Sequence, residues 1–596
     1  MFERELRADL CVVGAGMAGI CVAIAAARRG VKVILVHDRP VVGGNASGEV
    51  RMWIRGASTA FPEYREGGIL EEIASDNIRY NPSMNFSLWD GVLYNKVTAE
   101  KNICLLLNTS CTSATEKDGK IVGISAWQLT SYTRFRIYAD YFADCTGDCI
   151  FAESTAAEYR QGRESRAEFG ESFAPEKSDR KTMGNSCLLQ ARETDSPVKF
   201  TPPPFAYKFS DEEFAHRLDV SQRAIELRYQ NFWWIELGGE GDALRDAEKY
   251  NRELIARCFG VWDYIKNSGR FAAENWELDW VGFLAGKRET RRYAGDYTLT
   301  QNDILSARPF PDEVAYGGWS MDDHNPLGMA TKEPSNIHYP VENPYPIPYR
   351  CLYSKNISNL FFAGRNISVT HMALSSTRVM ATCAAAGQAA GTACALAVKY
   401  GISPREVGGH MPELQQALRE DDCFLLHTPR RASRAMRAAK TSLPPDRFEK
   451  MLDGTERNIG GEDKAFALKA GESATFLFPE AMPCAGIRIV FDDDLEGKRY
   501  GDEAWHLKLY PNCCSRPKGA PEAFFPPWLA KKFRVFVFEN GKKRRVFETE
   551  DNFYRLVKLP ACGSISGVEL TVDETHGGAP ARIFSVDIVP EERSEK

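Results

Sequence analysis

The sequence predicts an α/β fold built on a parallel sheet, interrupted by an inserted α+β domain and followed by an all-β sandwich. Three observations predict it. The N-terminal segment reads as strand, glycine turn, helix and strand, the repeat unit of parallel sheets. A short strand (Asn359–Ala363) and a long Ala-rich helix come much later, after a stretch rich in Trp, Pro and Tyr. Beyond about Pro429 the chain becomes a succession of short β-like runs separated by turns. The expected division places residues 1–160 and 346–428 in one sheet domain. Residues 161–345 are inserted between them, and 429–596 form the sandwich.

At 596 residues the chain exceeds one hydrophobic core, and about two to four domains are expected. Hydrophobic residues at 43% and charged residues at 26% give the balance of a folded soluble protein. A net charge of -6 offers no basic field for nucleic acid or anionic lipid. The 16 cysteines are scattered without C-x-x-C spacing. That argues against a zinc ribbon or a local iron–sulfur site, and no metal is expected. Free thiols in a reducing compartment fit better, Cys513-Cys514 and the Cys145/Cys149 pair included. No apolar secretory stretch precedes the first strand, so cytoplasmic residence is expected. Val379–Val398 is long enough to span a bilayer. Its Ala and Gly content, Gln388 within it, and Arg378 and Lys399 at its ends fit a buried helix against a sheet instead.

The elements follow in order. Leu10–Val13 reads as a buried strand, Met17–Arg29 as a helix and Val31–Val36 as a second strand. ICLLLNTSC, KIVGISAWQ and RFRIYADYFADC between 103 and 145 read as a β-meander returning to the main sheet. Pro404–Arg419 is amphipathic and closes the first module. RRASRAMRAAK is a basic linker or surface helix. The sandwich strands are SATFLF, AGIRIVF, WHLKLY, FRVFVFE, KRRVFE, GVELTV and RIFSVDIV, with a hairpin turn at Asn540-Gly541.

Gly14-Ala15-Gly16-Met17-Ala18-Gly19 is a full G-x-G-x-x-G between an apolar strand and a helix, the context that gives the pattern meaning. The first glycine makes the turn, the second admits a pyrophosphate, and the third lets helix and strand pack closely. The helix N-terminus supplies unpaired N–H donors. This is a Rossmann-type dinucleotide site. The position expected to carry a ribose-binding acid holds His37, followed by Asp38 and Arg39. Either Asp38 takes the ribose hydroxyls or His37 does so as a neutral donor. Arg39 stacks near adenine or pairs with phosphate.

Gly43-Gly44-Asn45, Asp144-Cys145-Thr146-Gly147-Asp148 and Phe361-Phe362-Ala363-Gly364-Arg365-Asn366 follow in an order that resembles the FAD-binding, glutathione-reductase-like flavoproteins. Within them the chain resembles a bacterial FAD-dependent oxidoreductase family, closest in GGNASGEVRMWIRGA and GRNISVTHMALSSTRVMATCAAAGQAAGTA, over about residues 1–425. The resemblance implies FAD as cofactor, held by these turns, by Ser47 and Cys111, and by Ala373 and Leu374 at the start of the Ala-rich helix. That helix N-terminus would face the flavin N1–C2=O edge, where reduction places negative charge. The C-terminal part is loosely similar to galactose-binding-like sandwiches. No second strand–glycine turn–helix unit follows, so an organic substrate rather than a pyridine nucleotide is expected to reduce the flavin. The external electron acceptor is not named by the sequence.

Flavin chemistry needs a proton acceptor beside the carbon that loses hydride, and histidine suits that role. His371, just before the Ala-rich helix, is the first candidate as base or substrate ligand; its alternative is a histidine that fixes a loop. His324 is the second, in the cluster Gly317–His324 with Trp319, Asp322 and Asp323, a mix that suits a polyol or sugar. Trp53, Arg55, Arg288 and Arg291 are further candidates for the substrate, since arginine binds carboxylates bidentately. Two readings follow. One is an oxidoreductase acting on a CH–OH or CH–NH group of a small polar, carbohydrate-like molecule. The other is a flavoprotein whose FAD is structural or redox-neutral, with a glycan- or partner-binding C-terminal domain.

Overall fold

Strand β1 (Phe2–Val13) ends in the apolar run LCVV, buried on both faces as central parallel strands are, while its polar first half is largely exposed. The computed structural model describes residues 2–221, 231–497, 509–511 and 518–590. Cys513, Cys514 and most of the WHLKLY run lie outside them. Strand β1 exceeds the expected Leu10–Val13 because FERELRAD has no apolar signal. It is held there by long parallel pairing, from Phe2 opposite Thr133 to Val13 opposite Asp144.

Helix α1 (Met17–Arg28) and strand β2 (Val33–Val36) complete the first unit. Helices α2 (Ile69–Tyr80) and α3 (Phe86–Thr98) precede β3 (Ile103–Leu106), which lies parallel to β2. Then come β4 (Thr109–Lys117), β5 (Lys120–Gln128) and β6 (Thr133–Asp144), an antiparallel meander. The expected single run ICLLLNTSC is therefore two strands. Asn108, at φ 51°, makes the break, a conformation asparagine tolerates. The sheet order is β3-β2-β1-β6-β5-β4.

The inserted segment has its own core around Phe214, Trp234, Leu254 and Trp262, the last on α4 (Ala247–Asn267). Its strand β7 (Met321–His324) pairs antiparallel with Asn336–Tyr339, His324 opposite Asn336. The chain then rejoins the main sheet through β8 (Leu360–Phe362), parallel to β6.

The Ala-rich segment, expected as one helix from near Leu374, is two. Helix α5 (His371–Thr377) stops at Arg378, and α6 (Met380–Tyr400) starts after an extended Val379. Serine and threonine side chains favour such ends because they offer alternative hydrogen bonds. Here Ser376 donates to the Trp319 carbonyl at 2.5 Å and meets Tyr345 Oη at 2.5 Å. Helix α6 is long and apolar enough to cross a membrane, yet 89% of that stretch is buried in the protein. It lies on α1 so closely that a Cβ at Gly387 would stand 2.3 Å from the Ala18 carbonyl oxygen. The small-residue stripe is therefore a packing requirement. Helix α7 (Met411–Glu420) closes this domain.

The C-terminal strands wrap around a second core that includes Phe476, Ile489, Phe533, Leu570 and Val586. SATFLF and AGIRIVF are two parts of one strand, β9 (Ser473–Phe491). It pairs with β12 (Gly563–Thr575) up to Cys484, through a register shift between Leu477 and Met482, and with β13 (Ala581–Pro590) from Cys484 on. Between them in sequence, β10 (Ala530–Glu539) and β11 (Lys542–Thr549) form the expected hairpin. Asn540 at φ 47° and Gly541 at φ 76° give the turn its type I′ character. RRASRAMRAAK is partly buried rather than a surface linker. Met436 enters the sandwich core, and Arg430 bonds Glu456 at 2.8 Å and Asp587 at 2.7 Å. Arg488 joins Glu456 at 2.6 Å and donates to the Glu420 carbonyl at 2.8 Å, tying the sandwich to the end of α7.

Candidate active site

Strand β1 delivers the chain to Gly14, and α1 begins three residues later. A Cβ on Gly19 would lie 1.8 Å from the Gly14 carbonyl oxygen, so only glycine permits this approach of helix to strand. Gly16 caps α1 without a side-chain hydrogen bond, which leaves first-turn N–H groups for an anion. The second glycine pair locks onto this turn: the Gly43 N–H donates to the Ala15 carbonyl at 2.7 Å. Asp144, at the end of β6, accepts from the Thr146 N–H at 2.9 Å and from Tyr293 at 2.7 Å, and Asn366 reaches its carbonyl at 3.2 Å. Asp144 thus ties the two late turns to each other.

These turns line a cavity of about 960 Å³. Gly14, Gly16, Met17, Ala18, His37, Asp38, Arg39, Gly43, Gly44, Asn45, Cys111, Thr146, Gly147, Asp148, Gly364 and Arg365 are all in its wall. Ala15, Gly19 and Ser47 lie behind the wall and shape it; Ser47 donates to the Gly44 carbonyl at 2.7 Å. Ala373 and Leu374 are not in the wall, because the helix breaks after them. Arg378, Val379, Met380 and Cys383 stand there instead, bringing the start of α6 to the cavity.

His37 receives the Ala15 N–H on Nδ1 at 3.1 Å. Burial lowers its pKa to about 4 against the pull of Asp38, so the ring is neutral and Nε2 carries the hydrogen. That Nε2 is buried without a partner among the described residues, whereas Asp38 is exposed. His37 thus keeps a donor for a nucleotide hydroxyl, and Asp38 stands in the wall beside it. His37→Leu is expected to weaken FAD binding about tenfold, the loss of one hydrogen bond. Flavin fluorescence titration of the apoprotein checks it, and unchanged affinity rejects the contact. Asp148 faces Lys287 and accepts from Arg365 at 2.8 Å. Burial raises its pKa, but these two cations outweigh it and hold the carboxyl well below the usual range.

The far end of the cavity carries Trp53, Arg55, Arg288, Trp319, Asp322 and His324. The Arg55 guanidinium stacks 4.1 Å from the Trp53 ring centre. His324 Nδ1 lies 2.6 Å from Glu236, and Nε2 lies 3.2 Å from Asp322. Glu236 also meets Arg288 at 3.3 Å, and Asp322 accepts from Arg378 at 3.0 Å. Burial pushes both carboxyls up; these cations and His324 bring them below their ordinary range. The Trp319 indole N–H is buried without a partner among the described residues.

Three expected site residues are elsewhere. Arg291 pairs with Glu153 and stacks over Tyr159, outside the cavity. His371 and Asp323 also lie outside it. His371 Nδ1 is 2.9 Å from Glu289, and Nε2 is 3.1 Å from Asp323. Burial alone would lower this histidine; the two carboxylates raise it to about 10, so it is an imidazolium with both nitrogens engaged. The cause is strand alternation: Asp322 and His324 project to one side of β7, Asp323 to the other, where His371 sits. Sequence reasoning missed Trp233, Arg217, Lys287, Asn336 and His338, all in the wall. Trp233-Trp234 had a visible aromatic signal, and Lys287 adjoins Arg288; the others have none.

A glycine turn opening α1, a locked second glycine pair, an orphan donor at the ribose position and the start of α6 at the same cavity define a dinucleotide-binding flavoprotein. The profile of the FAD dependent oxidoreductase family matches residues 9–418. The chain belongs to that family; it is an FAD-dependent oxidoreductase. No curated protein matches the sequence. Among solved structures it is similar to a geranylgeranyl bacteriochlorophyll reductase-like protein from Thermoplasma acidophilum, at 11% identity over 76% of this chain and 91% of that one, TM-score 0.31. It is also similar to the E. coli quinol fumarate reductase FrdA, at 14% identity over 70% and 75%, TM-score 0.27. A family 32 carbohydrate-binding module from Streptococcus pneumoniae EndoD matches 26% of this chain and 93% of its own, at 12% identity and TM-score 0.18.

Proposed function

We propose that the chain oxidises a CH–OH or CH–NH group of a small polar, carbohydrate-like molecule, with His324 and Asp322 taking the proton. The supporting observation is that this pair stands in the wall of the same cavity as the FAD-binding turns. We also read the order of those turns as glutathione-reductase-like. Bound FAD supplies the hydride acceptor. Glu236 at 2.6 Å holds Nδ1 of His324 and orients the ring, so the Nε2–Asp322 side is the one that faces the substrate. At 3.2 Å the Nε2–Asp322 contact is the looser one, and a substrate hydroxyl inserts there. Trp319 offers a ring face and an unused N–H. The electrons then leave to an external acceptor.

The test is an anaerobic visible spectrum of the holoprotein before and after adding sugars, polyols, amines and hydroxy acids. The expected result is bleaching of the flavin band by one class. A yellow protein that no class bleaches overturns the proposal and makes the flavin structural.

A further inference from the structure

We infer that the substrate carries an oxyanion group, and that Arg217 receives it. The inference rests on the assignment of the His324 end of the cavity to the substrate.

Three guanidinium groups of the wall stand around His324 and its acids: Arg217, Arg288 and Arg378. The carboxylates beside them are Asp322 and Glu236, and each already has a cation. Arg378 holds Asp322 at 3.0 Å, and Arg288 holds Glu236 at 3.3 Å. His324 lies between the two acids and draws on both. Arg217 is left over. It is 4% exposed, and no carboxylate lies within ion-pair reach of it among the described residues. Among the described residues its side chain is held only by carbonyl oxygens, of His216 at 3.1 Å and of Gly328 and Thr331 at 3.3 Å. Its Nε is buried without a partner among the described residues.

A buried cation satisfied by neutral acceptors alone is costly, and proteins retain one where a ligand completes it. Desolvation lowers the pKa of Arg217, and only Glu236 opposes that. The same Glu236 contacts His324, so Arg217 belongs to the His324 end and not to the pyrophosphate turn, where Arg365 and Lys287 meet Asp148. A guanidinium presents a planar fork of N–H donors, the shape that matches a carboxylate or phosphate edge. Anchoring an anion there while His324 receives a hydroxyl requires both groups on one small molecule. The substrate class is thus an acidic one: a hydroxy or amino acid, a sugar acid or a sugar phosphate.

The experiment uses the FAD-loaded full chain. Acetate and inorganic phosphate are titrated separately against potassium chloride at equal ionic strength, with flavin absorbance and the melting temperature as readouts. The expected result is a saturable response to at least one anion. Acetate alone points to a carboxylate, phosphate alone to a phosphoryl group. Arg217→Met is expected to weaken the response at least tenfold with its flavin content unchanged, and Arg217→Lys to retain part of it. Should Arg217→Met lose flavin, Arg217→Lys against wild type decides. The inference is overturned if the loaded wild-type protein shows no saturable response to either anion, or if the Arg217 variants respond as the wild type does. Anion binding can fail while flavin bleaching by substrate persists, so the two proposals fail separately.

Discussion

His324→Ala is expected to retain its flavin and to lose substrate-driven flavin reduction by about 10²–10⁴-fold, the contribution of a positioned proton acceptor. The two carboxylates that hold the ring each keep another cation in the variant, Arg288 on Glu236 and Arg378 on Asp322. The loss is therefore expected in rate and not in folding. Stopped-flow bleaching under anaerobic conditions measures it, and the flavin-to-protein ratio controls for cofactor loss. A rate within about threefold of wild type would remove His324 from the chemistry. If Asp322 alone carried the proton, Asp322→Asn would then be the damaging change.

His371→Ala should behave in the opposite way. Its ring joins Glu289 to Asp323 and is 2% exposed, and removing it leaves Asp323 without that partner. Breaking a buried pair of this kind costs about 3–5 kcal/mol, because a charge stays behind. The expected result is a lowered melting temperature, with bleaching by substrate preserved in the protein that remains folded. Changing Asp323→Asn in the same chain should recover part of the loss. The wild-type protein should carry a pH signature of this bond. The folded pKa of about 10 lies above the ordinary 6.5, so between those values the folded chain keeps a proton that the unfolded chain releases. The stabilisation is complete below pH 6.5 and is lost as pH rises towards 10. Melting temperature against pH should fall across this window in the wild type and less steeply in His371→Ala. Equal slopes in both would sink the assignment.

The cofactor half of the site was legible because its chemistry is carried by backbone. Glycines at 14 and 19, the pair at 43 and 44, and Gly147 and Gly364 mark places where a side chain would clash or strain the backbone, and such places show in a sequence. His37 was legible as a departure, and its burial and the Ala15 N–H bond show that its ring is built into the turn. The substrate half was less so. Nothing local distinguishes Arg217 or His338 from surface residues; His338 reaches the cavity through its pairing opposite Asp322, and Arg217 through a short helical turn of the insertion. The largest error concerned His371. Nearness in sequence to the flavin-facing helix suggested nearness in space, but Ser376 and Arg378 end one helix and Val379 starts another, so the wall is built a turn later than expected. The sandwich was legible from its turns, yet the continuity of β9 was not, since its mid-strand register shift interrupts the alternation.

Strand β7 keeps two ionic assemblies apart with three consecutive side chains. Asp322 and His324 serve the cavity, and Asp323 anchors the scaffold behind it. The separation depends on hydrogen-bond register alone, His324 opposite Asn336 and Met321 opposite Tyr339. A slip of one residue would exchange the roles: Asp323 would enter the cavity, and His324 would be sealed into the interior. The loops on either side of β7 are for this reason measured lengths of chain. A single deletion between Gly317 and Met321 would touch none of the reacting groups and still disconnect them, as a gear cut one tooth short turns freely beside its partner.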